Sequence, residues 1–207
     1  MLNTTLQLSN TEVIKIIALI VIAILIAYKL ITHYHAGAGI NYRTEIDQSI
    51  LYLQSKIKNP PRKYKPNKKL FEKFQNTKND EKILTSLAMD ILNHCKLKPA
   101  ALTVRIHQLD APKNIAGEYK IFKNNSVIEI YCQPSMNKKE ILAILIHECM
   151  HFYLRCRGIQ MQDTQQNEIL TDVTTIYMGF YEYMKNGYGR AGYITRNSIE
   201  YIYRKLN

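Results

Sequence analysis

Apolar residues recur at helical spacing along several stretches of this chain and at strand spacing along fewer. The run EKILTSLAMDILNHCKL puts Ile83, Leu84, Leu87, Ala88, Ile91 and Leu92 on one face and predicts a helix from Glu81 ended by Pro99. LTVRIHQL, residues 102–109, alternates like a half-buried strand with Val104 and Ile106 on one face. GEYKIFKNNSVIEIYC, residues 117–132, predicts a hairpin, because two β-rich runs flank Lys123, Asn124 and Asn125 and asparagine tolerates the positive φ of a tight turn. Asn137 followed three residues on by Glu140 has the spacing of a capping box, opening a helix KKEILAILIHECMHFYLRCRG that Gly158 ends. A second helix is predicted from about Gln166 through NEILTDVTTIYMGFYEYMKNG, closed by Asn186 and Gly187, and a short last one over RNSIEYIYRKL. Helix, strand, hairpin, then two or three helices predict an α+β domain with a small mixed sheet. No internal repeat and no low-complexity tract interrupts it.

The pattern before Glu81 is different. Val13–Ile31 is apolar except for Lys15 and Lys29, and at about 1.5 Å per residue it reaches roughly 28 Å, close to the thickness of a bilayer's hydrocarbon core. It predicts a single transmembrane helix whose terminal lysines snorkel to the headgroups. A cleaved signal peptide would use the small residues of HAGAG, 35–39, but no basic region precedes Val13, Glu12 is acidic and the apolar run is long. Further on, Tyr42–Ile57 carries Ile46, Ile50, Leu53 and Ile57 as a helical stripe, able to lie on a membrane or to pack on the domain.

Composition narrows the classes. At 207 residues with 46% hydrophobic content, the chain suits one domain plus an appendage and is not of the disordered class. Cys95, Cys132, Cys149 and Cys156 show no CxxC spacing, which argues against a zinc-thiolate ribbon or a disulfide framework and for reduced core thiols. The net charge of +11 is concentrated between residues 36 and 80. With no Lys or Arg before Val13, this bias places the N-terminus outside and the bulk of the chain in the cytoplasm. Pro60, Pro61 and Pro66 interrupt the basic stretch and no HTH, RRM or zinc-finger pattern surrounds it, so no nucleic acid is expected. Anionic lipid headgroups suit residues 43–78 better. The organisation expected is a membrane anchor over 1–35, a basic juxtamembrane linker over 36–80 and the α+β domain over 81–207.

Chemistry enters at LAILIHECMHFYL, residues 142–154. His147 and His151 lie four apart on a helix, one turn along and about 40° around, so both imidazoles can meet one ion. Glu148 follows the first histidine, placed to hold a water without ligating the metal. Chance alone would give H-E-x-x-H roughly 0.01 times in a chain of this composition, so the motif outweighs its bland alternative, two buried histidines satisfied by carboxylates. A catalytic zinc takes three protein ligands and keeps one position open. Glu168 is assigned as third ligand, and Asp172, one turn further, is placed to accept the other ring N–H of His147. Tyr193, ahead of Tyr188 and Arg190 in the same glycine-rich stretch, is the candidate to stabilise an oxyanion, although a tyrosine-rich tail also serves simply to cap a core.

HECMH followed after a short gap by NEILTD resembles the gluzincin clan of zinc metallopeptidases, whose pattern is HExxH and then ExxxD on a later helix. The resemblance spans about Tyr119–Asn207, and the closing segment also resembles the tails of small bacterial zincin-like proteins. It implies a minimal zincin-like domain, Zn2+ at His147, His151 and Glu168, Glu148 as general base, and an extended peptide or protein substrate aligned on an edge of the 117–132 hairpin. A non-catalytic, zinc-stabilised interaction module tethered to the membrane is the alternative.

Overall fold

The computed structural model describes residues 42–110, 116–122, 125–187 and 193–207. Three helices come first: α1 (Arg43–Lys56), α2 (Lys68–Asn76) and α3 (Glu81–His94). Strands β1 (Leu102–Gln108), β2 (Gly117–Phe122) and β3 (Asn125–Cys132) follow, then helices α4 (Lys138–Cys156), α5 (Thr164–Tyr177), α6 (Tyr181–Gly187) and α7 (Arg196–Leu206). The class is α+β, as the alternation of periods predicts. In the three-stranded sheet β3 is central, parallel to β1 and antiparallel to β2, so the sheet is mixed and β2 is an edge. Ile128, facing the core, pairs with Val104 on one side and Tyr119 on the other.

α4 is the axis of the domain. Every residue from Ile141 to Met150 is buried, because the helix packs against α3, α5, α6, β2 and β3 together. An all-round apolar helix is stable only when enclosed in this way. Its start is the expected capping box: the Asn137 side chain accepts from the backbone N–H of Lys139 (2.9 Å) and Glu140 (3.1 Å), and Glu140 accepts from the Asn137 N–H (2.9 Å). Gly158, at φ +63°, ends it, and the Ile159 N–H returns to the Leu154 carbonyl (2.9 Å).

Three expectations about these elements are corrected. α3 stops at His94, well before Pro99, where Lys96 takes a left-handed conformation at φ +57°. Asn125 begins β3 instead of belonging to the turn, and Lys123 and Asn124 lie outside the described residues. The single helix predicted over 166–187 is two, α5 and α6, divided at Gly179, whose φ is +88°. The break exists because another segment needs the space: a Cβ on Gly179 would collide with the Arg62 carbonyl, and the Tyr64 N–H donates to the Gly179 carbonyl (3.0 Å).

That same segment overturns the linker. Tyr42–Asn207 forms one compact unit, so the domain starts at Tyr42 and not at Glu81. Ile46, Ile50 and Leu53 of α1, Phe74 of α2 and Tyr64 between them are all buried. Tyr64 donates its hydroxyl to Asp90 (2.6 Å) and packs edge-on against His94 (5.2 Å), while the His94 ring meets the Met178 carbonyl at 3.0 Å. Of the two roles open to the 42–57 stripe, it is packed on the domain. Cys95, Cys132 and Cys149 are buried thiols, whereas Cys156 is exposed. Among the described residues no helix is long and apolar enough to cross a membrane, and Val13–Ile31 lies outside them.

Gly179→Ala should strain both its own backbone and the 60–64 segment. Urea denaturation is expected to show a loss of about 2–3 kcal/mol with an unchanged slope.

Candidate metal centre and cleft

α4 carries His147, Glu148 and His151 toward one side, where α5 packs against it. The turn at Gly158 and the cap by Asp163, whose side chain accepts from the Gln166 N–H (2.9 Å), set the start of α5 so that Glu168 faces the histidines. Nε2 of His147 lies 3.0 Å from Nε2 of His151, and Glu168 Oε2 lies 3.2 Å from each. These three side chains form a group that could hold a metal ion.

The protons decide what that triangle means. Asp172 Oδ1 sits 3.0 Å from His147 Nδ1, which therefore carries the hydrogen and leaves Nε2 as a lone pair facing inward. Thr171 donates its hydroxyl to the Asn167 carbonyl (2.8 Å), so its oxygen accepts from His151 Nδ1 (3.1 Å) and aims that Nε2 lone pair inward too. Three acceptors at 3.0–3.2 Å repel unless a cation lies among them. Tetrahedral ligands at about 2.0–2.1 Å from an ion stand about 3.3 Å apart, close to the observed edges. The donor set fits a divalent metal.

Without one, a proton takes its place. Burial favours neutral His147, but its hydrogen bonds to Asp172 and Glu168 outweigh this and raise its proton affinity well above the ordinary imidazole value. Burial likewise pushes the Glu168 carboxyl up, and the bonds from His147 and His151 overcome it, bringing it down to about 2. Asp172 is itself held: its Oδ2 accepts the backbone N–H groups of Tyr193 (2.7 Å) and Ile194 (3.2 Å), just before α7.

The group opens into a cleft of about 650 Å³ whose lining includes Glu148, Tyr193 and the Ala116–Tyr119 stretch of the β2 edge. Glu148 is buried, and burial raises its carboxyl above the ordinary range. Gly117 makes the room for it: a Cβ there would lie 2.7 Å from Glu148 Oε1 and 2.7 Å from Ile144 Cγ2. The Tyr193 ring is exposed at the cleft, and what the structure uses of this residue is its N–H. Tyr188 and Arg190 lie outside the described residues.

All of His147, Glu148, His151, Glu168 and Asp172 thus meet at one place. Two participants escaped the sequence reading. Thr171 sits beside Asp172 but has no motif to announce it. Gly117 opens a β-rich run, and a glycine in a strand does signal a close approach. No protein family, curated protein or solved structure matches the chain.

One divalent ion per chain is expected by metal analysis, lost in His147→Ala and Glu168→Ala. Asp172→Asn should weaken metal affinity about 10–100-fold by freeing the His147 tautomer. Metal uptake must displace the proton held by His147, so affinity should rise with pH, with protons released in calorimetry repeated in buffers of different ionisation enthalpy. In the metal-free protein, Glu168 contributes stability that is complete above the ordinary carboxylate range and lost as pH falls toward 2. His147 contributes stability complete below the ordinary imidazole value and lost as pH rises through its raised one. Thermal melts of metal-free protein should therefore peak between those two ordinary values as far as this cluster contributes.

Proposed function

We propose that this chain is a zinc-dependent metallopeptidase of gluzincin-like type, anchored in a membrane by Val13–Ile31, with its catalytic domain in the cytoplasm. The observation that carries the reading is the convergence of two imidazole lone pairs and one carboxylate, with a further buried carboxylate, Glu148, lining the same cleft. Two imidazoles and a carboxylate are the protein ligand set of a zinc hydrolase with an open position. Bound there, zinc supplies Lewis acidity toward a carbonyl oxygen and toward water.

The remaining work falls to the chain. Glu148, held above the usual carboxylate range by burial, is the stronger base for it: it takes the proton of the attacking water on a carboxylate oxygen and passes it to the nitrogen of the leaving amine. Asp172 and Thr171 keep both histidines in the tautomer that presents Nε2. β2, an edge strand along the cleft, offers unpaired backbone groups to which an extended peptide adds as a further strand. Tyr193, exposed at the cleft, is the side chain available to donate to a developing oxyanion.

Glu148→Gln should abolish hydrolysis of an unfolded protein substrate, by at least about 100-fold in kcat, with zinc content unchanged. Unaltered turnover in that variant would remove Glu148 from the chemistry. A wild-type protein that holds zinc and cleaves nothing would instead be the tethered, zinc-stabilised module. Gly117→Ala, by crowding the Glu148 carboxylate, should lower kcat/KM with zinc retained.

A further inference from the structure

Among the described residues, one guanidinium in the cleft has no acid to answer it. Of the acids along the wall, Glu118 is engaged by Lys120 (3.1 Å) and by the Tyr131 hydroxyl (3.3 Å), Glu168 faces the two histidines, and Glu148 is the base of the proposed reaction. Arg155 stands apart. It lies on α4 one turn beyond His151 and two beyond Glu148, on the same helix face, and lines the cleft while exposed to water. Its guanidinium makes no hydrogen bond or ion pair among the described residues.

Arg157, two residues on, shows what an occupied guanidinium looks like here: it donates to the Lys96 carbonyl (3.4 Å) and sits over the Tyr153 ring at 5.5 Å. The wall that Arg155 shares is mixed, with Gln160 and Asn167 among its polar residues and Leu154 and Ile159 among its apolar ones. Leu154 and Ile159 are buried, and the Tyr119 ring packs edge-on against Phe152 at 5.4 Å. Burial raises the Tyr119 phenol, and the charge of Arg155 is near enough to oppose it. A guanidinium fork matches the two oxygens of a carboxylate, and such a bidentate pair is stronger than a neutral hydrogen bond.

We propose that Arg155 is the specificity-determining residue of this cleft and binds a carboxylate of the peptide, from an Asp or Glu side chain or from the chain's own C-terminus. The proposal rests on the reading of the cleft as a peptide site. The four residues from His151 to Arg155 advance about 6 Å along α4, and an extended peptide advances about 3.3 Å per residue, so the carboxylate falls within about two residues of the reacting bond.

Three peptide hydroxamates test it, the hydroxamate serving to seat each at the metal group. One carries Glu within two residues of the hydroxamate and an amidated C-terminus, the second has Gln at that position and the amide, and the third has Gln and a free C-terminal carboxylate. Their affinities for the zinc-loaded full-length protein in detergent micelles are read by calorimetry. One of the two carboxylate probes should bind about tenfold more tightly than the Gln amide, which identifies the source of the carboxylate. The advantage should shrink at high salt and vanish in Arg155→Gln, with zinc content unchanged. Equal affinity for all three, an advantage that survives Arg155→Gln, or no binding of any probe would overturn the proposal. An Arg155-dependent advantage in a protein that cleaves no peptide would leave it standing and defeat the hydrolase reading alone.

Discussion

Two imidazole nitrogens and a carboxylate oxygen are turned toward one another across 3.0–3.2 Å within a folded domain, a crowding that a bound cation or a shared proton relieves. The cost of that crowding explains the network behind it. Asp172 and Thr171 take the outer ring nitrogens of His147 and His151, so neither ring can turn its lone pair away. Asp172 is in turn pinned by the backbone N–H groups of Tyr193 and Ile194, which ties the metal group to the approach to α7, far along the chain. A carboxylate that accepts the outer N–H of an imidazole fixes its tautomer and raises the basicity of the inner nitrogen.

Rigidity comes from the apolar surroundings. α4 is enclosed on every side, so a shift of its two histidines would disturb contacts with three helices and two strands at once. The cleft is left on the side where β2 ends the sheet. Gly117 brings that strand's backbone close to Glu148, and burial is the cause of that carboxyl's raised proton affinity. The approach of the strand edge to Glu148 and to the His147, His151 and Glu168 group therefore depends on a single missing Cβ as well as on the motif. α1 adds a further brace: Tyr177 of α5 donates to the Ile57 carbonyl (2.9 Å) and Gln165 donates to the Tyr42 hydroxyl (2.9 Å), so the segment that follows the apolar N-terminal stretch supports the helix that presents Glu168.

Periodicity made α3, β1, the hairpin, α4 and α7 readable to within a few residues, and the Asn137–Glu140 capping box was legible to the atom. Those features are local: a cap, a stripe or an alternation needs only its neighbours. The failures share the opposite property. Helix α5 reads as continuing through Gly179 because residues 166–187 have sound helical pattern, and it breaks because Arg62 and Tyr64, more than a hundred positions earlier, occupy the space. Residues 36–80 read as a basic linker because lysines and prolines recur along them, yet Tyr64 and Phe74 are core.

From the sequence alone came the two histidines and the glutamate of HECMH on one helix, Glu168 and Asp172 one turn apart on the next, and the apolar run at Val13–Ile31. Spacing along a helix is set by backbone geometry, so such pairings are decided before the chain folds further. Only the tertiary structure decided that α4 and α5 bring their groups to a common point, that Thr171 holds the second histidine, that Gly117 admits Glu148, and that Arg155 lines the same cleft. Each of these depends on the distance between elements remote in sequence, and that distance is the outcome of packing the whole core, which no local pattern encodes.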